Sequence, residues 1–246
     1  MKIIQISDLH LYTSINTLMD MGTYSAPFST EKSFQQVYQA ILQRKKTADL
    51  VIVSGDIAEE PSKETYQRLA PLLNALPSPY YCIAGNHDRP EYIKRYLHTV
   101  EYLDQADWRI IFLDTSKTDC SDGHLSTQEL QQLEQYLQTD RHILITMHHH
   151  PIPIHSQWMD NLRLQQADEF LDIIQQYSQV KAVVFGHIHQ AFDETHQNIR
   201  YLGTVSTCIQ FHSHQDNMRF SSQAPGYREI NLQADGSIQT TIHLIK

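Results

Sequence analysis

Cysteine is scarce in this chain. There are three, Cys82, Cys120 and Cys208, in 246 residues, and no two form a Cys-x-x-Cys pair. A sparse, odd-numbered set supplies no disulfide framework and points to a reducing compartment. Basic runs are equally scarce. Nothing exceeds Arg44-Lys45-Lys46, and the net charge is −9, which argues against a sequence-independent grip on nucleic acid. No apolar run approaches the ~18 residues of a membrane span. The chain opens directly on the strand-like Lys2-Ile3-Ile4-Gln5-Ile6 with no basic segment before it, so no signal peptide is expected. Linkers, low-complexity tracts and internal repeats are missing too. Residues 1–246 are therefore expected to form a single cytoplasmic domain, without membrane or nucleic-acid partners. The remaining composition, 41% hydrophobic and 19% charged, is ordinary for a globular chain. The one unusual count is histidine, at 15.

Short apolar runs recur, and each ends in a polar cluster. Ile3 to Ile6 leads into Ser7-Asp8-Leu9-His10. Leu50-Val51-Ile52-Val53, continuous like a parallel strand buried on both faces, leads into Ser54-Gly55-Asp56. Tyr80 to Ala84 leads into Gly85-Asn86-His87-Asp88. His142 to Met147 leads into His148-His149-His150-Pro151. Ala182-Val183-Val184-Phe185 leads into Gly186-His187-Ile188-His189. Alternation along an extended chain lets at most the first and third of the three adjacent histidines face one point. His148, nearest the strand end, is the candidate ligand. His149 and His150 read as hydrogen-bond donors behind it or as loop residues.

Helices are expected between these strands. One is capped by Ser29 or Thr30, with Phe34, Val37, Tyr38, Ile41 and Leu42 on its apolar face and Lys45 and Lys46 at its end. A second has Pro61 near its first turn and Tyr66, Leu69, Leu72 and Leu73 facing the core. Others are expected over Pro90–Tyr102, over Leu125–Leu137 with Ser126 as cap, and over Asn161–Tyr177. Leu11 to Ser29, carrying Met19, Met21, Tyr24 and Phe28, reads as a long loop, either a lid or plain surface. Arg109 to Leu113 is a further strand, followed by a loop with Asp119, Asp122, Gly123 and His124. The last fifty residues read as antiparallel strands at Ile199–Leu202, Tyr227–Leu232 and Ser237–Leu244.

Sites in open α/β sheets form beyond the carboxyl ends of the strands. The clusters at those ends supply Asp8, His10, Asp56, Asn86, His148, His187 and His189. This set of carboxylate, amide and imidazole, with no thiolate, suits Mn, Fe, Zn, Co or Ni. Seven ligands are too many for one open catalytic ion but enough for two that share a carboxylate. Two ions about 3.5–4 Å apart form the usual clamp for in-line displacement at phosphorus.

The motif order Asp-x-His, Gly-Asp, Gly-Asn-His-Asp, His, Gly-His-x-His, from residue 7 to 189, resembles that of the calcineurin-like metallophosphoesterases. The resemblance implies an α/β fold of four layers, an α/β/β/α sandwich of two mixed sheets. It implies two divalent ions, Fe or Mn foremost, with Zn or Co compatible. Asp8, His10 and His189 would hold one ion, Asn86, His148 and His187 the other, and Asp56 would bridge them. A closer resemblance is to the class III bacterial 3′,5′-cyclic-AMP phosphodiesterases. It rests on Asp8-Leu9-His10-Leu11, His148 to Pro151 with Trp158-Met159-Asp160, Gly186 to Gln190, Ser206-Thr207-Cys208-Ile209-Gln210-Phe211 and Ala224-Pro225-Gly226-Tyr227-Arg228. It implies a small cyclic nucleotide as partner, with His10, Asp56, Asn86, His87 and His189 around the phosphate.

The expected chemistry is attack by a hydroxide held between the ions, with His87 protonating the leaving O3′. Two divalent ions with Asp8, Asp56 and hydroxide leave about +1 at the centre, which complements a phosphodiester monoanion. Asp88 is expected to help hold the loop. The other readings are a different hydrolase on this scaffold (a generic phosphodiesterase, a pyrophosphohydrolase or a nuclease) and a metal-bound binding module without catalysis. Tyr24, Phe28, Trp158 and Phe211 could stack a base, but a core role fits each at least as well. Base preference and oligomeric state are not legible.

Overall fold

A computed structural model describes residues 1–22, 26–44 and 47–245. In chain order its strands are Lys2–Ile6 (β1), Leu50–Ser54 (β2), Tyr80–Ile83 (β3), Tyr102–Gln105 (β4), Trp108–Phe112 (β5), His142–Met147 (β6), Val180–Phe185 (β7), Phe192–His196 (β8), Ile199–Gly203 (β9), Gln210–Phe211 (β10), Phe220–Ser221 (β11), Gly226–Leu232 (β12) and Ile238–Leu244 (β13). The helices are Thr30–Leu42 (α1), Lys63–Asn74 (α2), Pro90–Tyr96 (α3), Thr127–Tyr136 (α4), Gln157–Asp160 (α5) and Ala167–Ile174 (α6). One sheet runs β13-β12-β1-β2-β3 and the other β4-β5-β6-β7-β9-β8, with β10 and β11 as a separate ribbon. Both large sheets are mixed. The parallel strands β1, β2 and β3 are flanked by antiparallel β12, and the parallel strands β5, β6, β7 and β9 by antiparallel β4 and β8.

Side-chain alternation sorts the apolar residues into three cores. Ile4, Ile6, Val51 and Val53 face outward onto Phe34, Val37, Tyr66, Leu69 and Ile93 of α1, α2 and α3. Ile143, Ile145, Val183 and Phe185 face outward onto Leu133, Met159 and Phe170 of α4, α5 and α6. Between the sheets, Ile3, Leu50 and Ile52 meet Ile110, Leu144, Ala182 and Val184. Strands covered on both sides must be apolar on both, which is why the runs carry no alternation. The result is the expected α/β/β/α sandwich. Buried Gln5 and Arg228 are polar side chains that cross the inner layer. Gln5 Nε2 donates to Phe185 O at 3.2 Å, and Arg228 donates to Gly203 O at 2.6 Å and Phe192 O at 3.0 Å.

Several local expectations need correction. Ser62 caps α2, its side chain accepting from the Thr65 N–H, with Pro61 just before it. Leu42 is exposed at the end of α1. The Pro90–Tyr102 helix stops at Tyr96 because Leu97 is extended, and Tyr102 opens β4. The Asn161–Tyr177 helix is confined to α6, with Leu164 bridged to Gly123 instead. β9 is antiparallel to β8 but parallel to β7. Ser29 caps α1, and Ser126 forms a capping box with Glu129 on α4. In the long loop, Met19 and Phe28 pair as an antiparallel bridge and Met21 is buried. Tyr24, Lys45 and Lys46 lie outside the described residues. Among the described residues, no helix is long and apolar enough to cross a membrane.

Candidate metal centre

Each candidate ligand lies in the first few residues beyond a strand: Asp8 and His10 after β1, Asp56 after β2, Asn86 after β3, His148 after β6, His187 and His189 after β7. The chain must turn sharply there to bring side chains from both sheets to one rim. Asp8, His10, Asp56, His187 and His189 take φ of 55, 47, 49, 66 and 47°. This left-handed region costs a non-glycine residue about 1–3 kcal/mol unless its surroundings impose it. Here neighbouring loops impose it. The Asp8 N–H donates to Gly55 O at 3.0 Å, and the Leu9 and His10 N–H groups both donate to Asp56 O at 2.8 and 3.0 Å. Gly55 itself has φ +97°, and a Cβ there would strike the ring of His148. Only glycine satisfies both conditions.

Hydrogen bonds behind the histidines aim them. His10 Nδ1 donates to Glu59 Oε2 at 2.6 Å, His148 Nδ1 to Ser54 O at 2.7 Å and His189 Nδ1 to Ile209 O at 2.8 Å. Each bond turns Nε2 toward the rim, as in histidine ligation of metals. His10 Nε2 and His189 Nε2 then face each other at 3.2 Å. Two ring nitrogens so placed need a proton or a cation between them. His189 Nε2 is 3.3 Å from Asp8 Oδ1. Asp56 Oδ2 lies between His148 Nε2 at 3.3 Å and His10 Nε2 at 3.7 Å. The Asp56 carboxylate therefore stands between two groups of donors.

Charge follows this geometry. Burial opposes ionisation of Asp56, but His148, His87 and His10 outweigh it and hold its pKa well below the usual carboxylate range. Asp8 is likewise lowered, by His189 and His148 against the effect of burial. Burial also opposes charge on His148, yet Asp56 and Asp8 push its pKa up to about 9. His10 rises to about 9 through Glu59 and Asp56 against the same opposition. His187 is lowered, first by burial and then by His149, His148 and His150, which favours the neutral, ligating imidazole.

The residues fit two ions. Asp8 Oδ2, Asn86 Oδ1, His148 Nε2 and His187 Nε2 are buried without hydrogen-bond partners, and a native fold does not orphan four such atoms at one rim without a use for them. Asp8, His10 and His189 offer ligand atoms within 4.8 Å of one another, as do Asp8, Asp56 and His148. His148 and His187 are grouped in the same way, with His149 as their third member.

That third member corrects the alternation argument. Rings 148, 149 and 150 all pack around His187, with centroids at 5.1, 4.7 and 5.9 Å. Alternation fails because β6 ends at Met147 and the chain bends there. His149 Nδ1 bonds Thr115 Oγ1 at 2.8 Å, and its Nε2 is buried without a partner. His150 leans on Asp160 at 3.5 Å.

His87 stands at the edge, with its side chain 37% exposed, while its N–H donates to Asp56 Oδ1 at 2.9 Å. Its ring lies edge-on to His10, 4.9 Å between centroids. Sequence reasoning missed Glu59, whose Oε2 is also 3.3 Å from His87 Nδ1. Its only signal was a position three residues past Asp56. Asp88 braces the centre from below. It accepts from the N–H groups of Ile57, Ala58 and Gly85 and from the Tyr66 hydroxyl at 2.9–3.1 Å. Burial and Asp56 raise its pKa to about 6 against those bonds.

Ser206 to Phe211 is a rack behind the candidate ligands. Ser206 Oγ donates to Asp8 O at 2.7 Å, the Thr207 N–H to Ser7 O at 3.0 Å and the Phe211 N–H to His189 O at 3.1 Å. The Gly226 N–H ties the Ala-Pro-Gly stretch to Ser206 O at 3.0 Å. Phe211 stacks on His189 at 4.5 Å and meets Trp158 at 5.0 Å, and both rings pack on the outer core.

Phosphoester hydrolases that use a binuclear metal centre are the class defined by this fold and donor set. The chain belongs to the calcineurin-like phosphoesterase family, whose profile matches residues 1–191. It is 34% identical to the 3′,5′-cyclic adenosine monophosphate phosphodiesterase CpdA of Vibrio vulnificus, over 98% of this chain and 89% of that protein. It is also 34% identical to the 3′,5′-cyclic-nucleotide phosphodiesterase alr5338 of Nostoc, over 99% and 92%. Among solved structures, a dimetal phosphatase from Danio rerio shares the fold with a TM-score of 0.70 at 14% identity, covering 100% of this chain and 99% of that one.

Proposed function

We propose that residues 1–246 act as one metallophosphoesterase domain that hydrolyses 3′,5′-cyclic AMP to 5′-AMP. The observation that carries this reading is His87, exposed at the edge of a buried donor set and backed by Glu59 at 3.3 Å. A binding module has no need of such a group. The substrate class is supported by full-length likeness to the two bacterial proteins named above.

In this reading Asp8, His10 and His189 would hold one ion, Asn86, His148 and His187 the other, and Asp56 would serve both. Fe and Mn are the first choices, with Zn and Co compatible with the same donors. When bound, such ions lower the pKa of an attacking water and neutralise charge on phosphoryl oxygens. His10, Asp56, Asn86, His87 and His189 surround the phosphate. His87 donates a proton to O3′ as the P–O3′ bond breaks, so that the sugar leaves as an alcohol rather than an alkoxide. Glu59, 3.3 Å from His87 Nδ1, orients the His87 ring, and it holds the His10 ring as well.

The test is turnover by metal-reconstituted protein of 3′,5′-cyclic AMP beside cyclic GMP, 2′,3′-cyclic AMP and bis(p-nitrophenyl) phosphate. Preferred formation of 5′-AMP is the expected result. Hydrolysis of the artificial diester with little action on cyclic AMP would leave the two-metal chemistry standing and sink the substrate.

A further inference from the structure

Among the described residues, one other set of metal-ligand side chains converges outside the centre. Cys120, Asp122 and His124 lie at alternate positions in the loop between β5 and α4. Their ligand atoms are all within 4.8 Å of one another, and His124 Nε2 is 3.2 Å from Asp122 Oδ2. Tetrahedral zinc with bonds of about 2.0–2.3 Å has ligand-to-ligand edges of roughly 3–4 Å, so the three donors need only close slightly on an ion. All three residues are half-buried, which lets an ion enter. Cys120 is in no disulfide.

The loop is fixed where it matters. The His124 N–H donates to Thr115 O at 2.9 Å, the Gly123 N–H to Arg163 O at 3.3 Å and the Gln165 N–H to Gly123 O at 2.8 Å. Gly123 is pressed so closely on His149 that a Cβ there would sit 2.6 Å from that residue's Cβ. The backbone of Asp122 and His124 is thereby placed before any ion binds, which lowers the ordering cost of ligation.

We propose that Cys120, Asp122 and His124 form a third, mononuclear metal site of the zinc class, with a fourth position for water. It shares no residue with the binuclear centre. The single thiolate sets it apart chemically, because the centre offers only oxygen and nitrogen donors. Thiolate, imidazole and carboxylate together select Zn²⁺ or Co²⁺ over Mg²⁺ or Mn²⁺. An ion here ties residues 120–124 into a rigid wall beside His149, which in turn packs on the candidate ligands His148 and His187.

Cobalt is the probe. Wild-type protein titrated with Co²⁺ is expected to take up three ions per chain by elemental analysis and to show a thiolate-to-cobalt charge-transfer band in the near ultraviolet. Cys120→Ser should lose that band and one ion while keeping two ions, its far-ultraviolet circular dichroism and its turnover. His124→Ala should lose the third ion by a different route, leaving the thiol free. Zn²⁺ added to wild type should block alkylation of Cys120, read by peptide mass spectrometry. Two ions in the wild type, a band that survives Cys120→Ser, or alkylation of Cys120 unaffected by Zn²⁺ would overturn the site. None of these readouts depends on which phosphoester the binuclear centre cleaves.

Discussion

His87 and Asn86 are neighbours in sequence with opposite surroundings. Asn86 Oδ1 is buried and unpaired, whereas His87 keeps more than a third of its side chain in solvent. These surroundings suit the proposed roles, since a ligand must be sequestered and a proton donor must reach both substrate and water. His87→Ala is therefore expected to lower kcat on a cyclic nucleotide by about 10²–10⁴-fold, the usual weight of a general acid, with metal content unchanged. Full turnover in that variant would remove the leaving-group role. Glu59→Gln tests the residue behind it. The carboxylate touches His10 at 2.6 Å and His87 at 3.3 Å, and loss of such an outer partner costs about 10–100-fold in metal affinity or activity. A drop in that range for Glu59→Gln, with His10→Ala losing an ion outright, would separate support from ligation. Wild-type rates in Glu59→Gln would show that the ring positions are fixed by packing alone.

At the scale of elements, strand ends carry the site. Gly55 is where β2 must turn, pass the ring of His148 and deliver Asp56. Gly55→Ala is expected to destabilise the fold by roughly 1–3 kcal/mol from the φ of +97°, and by more if the His148 ring is displaced. Urea unfolding reads the loss as a lower midpoint at unchanged slope. Elemental analysis should show one ion lost along with it. An unchanged midpoint would mean that the β2 turn relaxes freely.

The same logic explains what the sequence made legible. Strands covered on both faces are continuous apolar runs, so β1, β2, β3, β6 and β7 were plain, and their polar ends gave Asp8, His10, Asp56, Asn86, His148, His187 and His189. Edge strands β4 and β8 are half-exposed and polar, and their composition reads as loop. Pairings were not legible either. Nothing in Gly226–Leu232 says that it lies beside β1, because register is decided by long-range contacts. His149 was misjudged because strand alternation was carried past the strand's last residue. Ser206 to Phe211 stood out as a motif, but its work as a rack behind Asp8 and His189 lies in backbone hydrogen bonds that residue identities do not announce.

For the molecule as a whole, the centre is a store of unlike charges held between two sheets, and its linkage to folding has a definite sign. In the metal-free protein His10 and His148 sit at about 9, against about 6.5 in an unfolded chain. The folded state therefore binds more protons than the unfolded state between these values, and stability falls as pH rises. The contribution is fully present below about pH 6.5 and gone once pH has passed through about 9. Ligation reverses this, because each histidine must surrender its proton to bind an ion. Metal loading near pH 7 is thus expected to release protons and to remove the downward slope.

Melting curves from pH 6 to 10, with chelator and with reconstituted metal, check the first expectation. The metal-free melting temperature should fall across that range while the loaded protein holds its own, so the gap between them widens with pH. A pH indicator in weakly buffered solution, read as metal is added, checks the second. A metal-free melting temperature that stayed level or rose between pH 6.5 and 9 would mean that Asp8 and Asp56 are balanced by something other than protonated His10 and His148. The electrostatic account of the centre would then have to be rebuilt around its hydrogen bonds.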